Sequence, residues 1–338
     1  MFDKLKYTAM ALAVSLLPAG CATATSEDEP QPGAEMRFTA AEASRSSLVT
    51  TETMNRFSLY GNMVSTSSPS TPAIVFNNTP VTQNDGLWTY DNVQYWIPGQ
   101  TYSFAAVHFP STETITNLTY SADQLTFRYT APADYKTAPD ILTAAHRRIY
   151  ESPATPVAFS FGHAMARLNF VANVDPAVQN SQIVIDRIVI RGIASRANYT
   201  LQAATITGGA KQTSDLAGTP WTVSSTPARI SYTKEPGVMV SSGESVSLFD
   251  ATADPLLIIP QTVTSDLEVE LTYTRVGGST TVVRGRLRTA ASTHGYVWSA
   301  GRNYTYSFTL GVDDFLIFND PDIKGWDEDE GGTYIVVG

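Results

Sequence analysis

The stretch Leu267-Glu268-Val269-Glu270-Leu271-Thr272-Tyr273, followed across Gly277-Gly278 by Thr281 to Arg288, decides the fold class. Alternation with period two puts Leu267, Val269, Leu271 and Tyr273 on one face, and the Gly-Gly pair supplies the reversal between two strands. On the returning strand Arg284, Arg286 and Arg288 share a face. That basic stripe could meet a partner, but it reads first as the solvated side of a sheet. Working outward, Ile183–Ile190, Arg167–Val171 and Val157–Phe161 are β-branched or aromatic runs upstream, and Asn303–Leu310 and Phe315–Phe318 follow downstream. In the first half, Met54–Gly61, Tyr102–Val107 and Leu125–Tyr129 read as strands. Trp88–Tyr90 and Val93–Trp96 read as a hairpin over Asp91-Asn92 that ends at Pro98-Gly99. Asp140–Tyr150 leaves a helical turn and a strand both open. Hydrophobic residues are 43% of the chain and charged ones only 16%, with many Thr, Ser, Val and Tyr, which favours β-structure. The expected fold is all-β, built of sandwiches. The 338 residues suffice for two domains, and the proline-bearing segment Glu151–Pro156 is the best boundary, giving domains at 36–154 and 155–338.

The start of the chain reads as an export signal. Lys4 and Lys6 precede an apolar run from Tyr7 to Leu17, about eleven residues and too short to span a bilayer. Ala19 and Gly20 lead into Cys21, the single cysteine, so residues 1–21 resemble a bacterial lipoprotein signal whose thiol is acylated. Pro18 stands where such signals commonly carry Leu, and ordinary cleavage at Ala22–Ala24 is the alternative. Residues 22–35, with Glu27-Asp28-Glu29, form a solvated acidic linker. Loss of the signal removes a net +1 (Asp3, Lys4, Lys6) and takes the formal charge from −10 to −11, which argues against a nucleic-acid partner.

Catalytic motifs are missing: there is no G-x-S-x-G, P-loop or H-E-x-x-H. The four histidines, His108, His146, His163 and His294, are far apart, and His163 reads as a hydrogen-bonded structural residue. Aligned from Asp320 as a calcium loop, the late acidic segment has Asp at positions 1 and 3 and Gly at 6. Lys324 and Gly331 stand where ligands belong, which rules out an EF-hand and leaves only a weak surface ion site open. No catalytic, cofactor-binding or metal-ligating residue is assigned. Trp88, Tyr90, Tyr95, Trp96 and Tyr102 could stack on sugars, but as strand aromatics they read first as core.

Seven short segments occur in an order that resembles the fimbrillin family, the type V pilin lipoproteins of Bacteroidetes. They are "MRFTAAEASR" (36–45), "NRFSLYG" (55–61), "YWIPGQTYSFAAV" (95–107), "VAFSFGHAMARLNF" (157–170), "LLIIPQTV" (256–263), "GRNYTYSFTL" (301–310) and "IKGWDEDEGG" (323–332). The resemblance implies two transthyretin-like Greek-key sandwiches in tandem and a non-enzymatic fimbrial subunit supporting cell adhesion. It further implies export as an outer-membrane lipoprotein acylated at Cys21. An Arg-specific maturation protease would cut at the position matching Arg45, and assembly with other pilin subunits at the cell surface would follow by strand exchange. The terminal Thr333–Val337, β-prone behind Gly331-Gly332, suits a donated strand or an edge strand. Stalk, anchor and tip roles stay open. The alternative is a surface-anchored glycan-binding lipoprotein or tip adhesin that does not polymerise, with a host or bacterial surface ligand.

Overall fold

A computed structural model of the chain describes residues 33–42, 54–67, 71–150, 154–177, 182–249, 253–287, 297–311 and 316–326. Cys21, Arg45, Arg288, His294, Phe315, the acidic run after Trp326 and Thr333–Val337 lie outside them. Apart from one 3-10 turn at Tyr135–Thr137, regular structure in these residues is entirely β. The strands that carry the argument are β1 (Phe38–Glu42), β2 (Arg56–Ser65), β3 (Ala73–Asn84), β4 (Leu87–Thr89), β5 (Gln100–His108) and β6 (Ile115–Ser121). They continue with β7 (Gln124–Thr130), β8 (Leu142–Ile149), β9 (Val157–His163), β10 (Ala166–Val174), β11 (Gln182–Ala194) and β12 (Arg196–Leu201).

The first large sheet runs β1-β9-β8-β5-β2-β3-β4, with Gln212–Thr213 added to β8. Its interior strands are apolar on both sides. Tyr102, Phe104 and Ala106 of β5 enter one core, while Ala105 and Val107 enter another. The first core forms because the sheet curls on itself: Phe38 of β1 meets Phe76 of β3 with ring centroids 5.5 Å apart. The second core lies against a sheet of Trp221–Thr222, β12, β7 and β6. A third core joins the sheet around β10 and Arg302–Leu310 to the sheet of Arg229–Lys234, β11, Glu268–Arg275 and Thr280–Arg286. Leu267, Val269, Leu271 and Tyr273 are all fully buried there, as their alternation requires. Opposite them, Glu270 accepts from Arg284 at 2.8 and 2.9 Å and also pairs with Arg191 at 3.1 Å. The arginine stripe is therefore tied into cross-strand ion pairs at Arg284, and those contacts hold the Glu270 carboxyl below the usual range.

Several expectations change. Trp88-Thr89 does pair as a hairpin, but backwards onto Gln83 and Thr82 of β3, leaving Tyr95 in a single bridge to Glu35. The segment left open at Asp140–Tyr150 is a strand, β8, in the middle of the sheet. Buried on both faces, it shows no alternation to read. β9 pairs with β1 and β8, and β12 pairs with β7. Near the end, Phe318 makes one bridge to Phe308 instead of a strand, while Asp322–Gly325 is extended and paired with Arg302–Thr305. Asp322 pairs with Lys324 at 3.3 Å.

Candidate functional site: the first strand and its groove

The segment Gly33 to Glu42 is held in two different ways. Its first part lies against residues 94–96: Met36 N donates to Gln94 O at 2.8 Å, and Trp96 N donates to Ala34 O at 2.9 Å. Gly33 is required there, since a Cβ would sit 1.9 Å from the Trp96 carbonyl oxygen. Its second part, β1, pairs parallel with β9 in the register Phe38↔Val157 to Glu42↔Phe161, and Val157 N donates to Arg37 O at 2.8 Å. β1 thus ends the sheet, with a ladder partner on one side. Parallel pairing is slightly weaker per residue than antiparallel, so side chains must do most of the holding.

Period two does this. Met36 and Phe38 point inward and are 1% and 3% exposed, while Arg37 and Thr39 face solvent. The Phe38 ring sits in an aromatic box. It is stacked on Phe159 at 5.9 Å and meets Phe76, Tyr90 and Phe104 edge-on at 5.5, 5.5 and 5.7 Å. Gly61 makes room behind the box, because a Cβ there would come within 2.8 Å of the Phe104 ring. The Tyr90 hydroxyl donates to Met36 O at 2.9 Å and accepts from Gln94 N at 3.2 Å, which ties both halves of the segment together. Burial raises the Tyr90 phenol above its ordinary pKa, so it stays a neutral donor. Lifting the segment away would bare one edge of β9, the Gln94–Trp96 backbone and the aromatic box.

The sugar-stacking candidates are mostly committed elsewhere. Trp96 and Tyr102 are fully buried, and Tyr102 OH accepts from Ile97 N at 2.8 Å. The Trp96 ring stacks on Tyr150 at 5.2 Å with the Arg148 guanidinium 5.0 Å over its centroid. Trp88 and Tyr90 pack on the first core, and Tyr95 alone is half exposed. His163 is a buried structural residue whose Nδ1 lies 2.8 Å from Asp140 Oδ1, with the Trp326 ring 4.0 Å away. Arg167 stands over that tryptophan, so three of the quoted motif positions meet at one place. The I-P-Q segment has a similar reason: Gln261 is buried, accepts from Ala194 N at 3.0 Å and donates to Ile259 O at 3.0 Å. Of the two residues assigned a role from sequence, Cys21 and Arg45, neither lies in the described residues. Met36 and Phe38 were missed as site residues, although the alternation Met36-x-Phe38-x-Ala40 was visible. Among the described residues no three His, Cys, Asp or Glu side chains gather as a metal-binding group, and no helix is long and apolar enough to cross a membrane.

Comparison with known families matches the fimbrillin-like family over residues 44–326. The chain belongs to that family. Among solved structures, a fimbrial protein from Bacteroides vulgatus is 13% identical, with a TM-score of 0.58 over 86% of this chain and 99% of that one. A proposed cell adhesion protein from Bacteroides uniformis is 16% identical, with a TM-score of 0.46 over 86% of this chain and 99% of that one. The first of these likenesses supports the all-β fold. Curated proteins gave no match.

Proposed function

We propose that the chain is a fimbrial subunit exported as a lipoprotein, acylated at Cys21 and cut after Arg45, and that it assembles by strand exchange at the cell surface. The observation that carries this reading is the seating of the first segment: β1 is an end strand, paired parallel, and its Phe38 fills an aromatic core together with Met36 just before it. Arg45 follows β1 by three residues in a polar stretch, so one cut there would separate residues 1–45 from the fold covalently. The vacated groove offers unpaired backbone and apolar pockets, which is what an incoming strand satisfies. Thr333–Val337 has the composition of such a strand. Donation from one copy to the next, head to tail, gives an open filament. Mass spectrometry of the exported protein tests the processing. The precursor carries lipid on Cys21, the assembled form begins at Ser46, and Arg45→Ala stops at the precursor. An assembled form that still begins at Cys21 refutes the cut.

A further inference from the structure

A second site lies on the solvent side of the sheet formed by Trp221–Thr222, β12, β7 and β6. The alternation that sends Leu125, Phe127, Tyr129, Ala197 and Tyr199 inward leaves Arg128, Arg196 and Asn198 outward. The register sets Asn198 opposite Arg128 on one side and Thr222 on the other. It sets Arg196 opposite Thr130, so the two arginines are diagonal neighbours on one face. Like charges so placed repel, and neither Arg128 nor Arg196 forms an ion pair among the described residues, in a chain of net charge −10. By contrast Arg229 is paired to Asp266 at 2.9 Å.

These arginines border a cleft of about 290 Å³ whose other walls carry Asn198, Thr222, Ser224 and Thr226. The hydrogen bonds already made leave it rich in donors. Asn198 spends its Oδ1 on Arg128 Nε at 3.3 Å, so its amide N–H groups remain available. Ser224 Oγ accepts from Thr226 N at 3.3 Å, and its own proton is free to be given. Two guanidinium forks, an amide and three hydroxyls therefore face a space with no carboxylate among its lining residues. Such a set complements an oxyanion, and guanidinium forks match carboxylate and sulfate geometry in particular. The cleft is larger than a bare anion needs, and hydroxyl and amide groups beside the arginines suit the ring hydroxyls of a sugar.

We propose that this cleft binds an acidic saccharide, with a carboxylate or sulfate on Arg128 and Arg196 and the sugar ring on Asn198, Thr222 and Ser224. The site is on a different face from β1 and does not depend on strand exchange.

Titration of the purified full chain with four probes tests this: a sialyl-trisaccharide, a sulfated chondroitin disaccharide, neutral lactose and inorganic sulfate. Binding of either acidic saccharide, weakened by added salt and about tenfold or more by Arg128→Gln or Arg196→Gln, is expected. Both substitutions are on an exposed sheet face and should leave the melting temperature unchanged or, through relief of repulsion, slightly raised. The two acidic probes separate carboxylate from sulfate. The proposal is overturned if neither binds, if lactose binds as well as they do, if inorganic sulfate alone accounts for the affinity, or if both variants bind like the parent.

Discussion

Replacing Phe38 by alanine should loosen the first strand specifically. The ring is 3% exposed and touches four other aromatic rings, so its loss removes a large buried surface and leaves a cavity that rigid neighbours fill poorly. Core Phe→Ala changes cost about 3–5 kcal/mol. Because β1 ends the sheet, the cost is drawn from its own docking before it reaches the rest of the fold. Taking the low end, about 3 kcal/mol, the detached population rises by about a hundredfold. The Val157 amide donates to Arg37 O and becomes exchangeable when β1 lifts. Hydrogen exchange of a peptide spanning residues 154–163 should therefore accelerate about a hundredfold in Phe38→Ala. Thr39→Ala, at an exposed position of the same strand, should leave it nearly unchanged. If Phe38→Ala exchanges at the parent rate, β1 is not held by its aromatic anchor and the groove argument fails.

Acid should weaken the fold through His146, whose burial and neighbouring Arg148 push its pKa down to about 4. The unfolded chain takes up the proton from near pH 6.5 and the folded chain only near 4. Stability is therefore intact above 6.5 and declines between these values by about 3 kcal/mol, a slope that His146→Gln should flatten in denaturant titrations. Gly192 has φ +83° within a bulge of β11 against Arg229–Lys234, and a Cβ would lie 2.2 Å from Asp266 O. Gly192→Ala should destabilise by about 2 kcal/mol or more, read as a shifted denaturation midpoint, and an unmoved midpoint would show that the bulge yields freely.

The hairpin of Glu268–Arg275 and Thr280–Arg286 was legible because a short glycine turn joins its strands and they hide one face only, so local alternation says nearly everything. β8 was not, because Ala144, Ala145 and their neighbours are apolar toward two cores at once. Trp88 and Trp96 illustrate the other limit. Trp88 turns back onto Gln83, only five residues upstream, whereas the Trp96 partner, Ala34, is brought in from sixty residues away by the closing of the sheet. The parallel match of β1 with β9 joins residues more than a hundred apart, and no spacing in the sequence encodes it. The groove was foreseen only through the family resemblance, whereas the box around Phe38 needed the structure. The Arg128–Arg196 pair was hidden because its register depends on β7 meeting β12.

The most direct measurement is to trim the purified chain with an Arg-specific protease and run the product unboiled in SDS. Protein cut at Arg45 should give a ladder of resistant oligomers, while Arg45→Ala should stay monomeric. A fully trimmed protein that remains a monomer at high concentration would contradict strand exchange at the β1 groove.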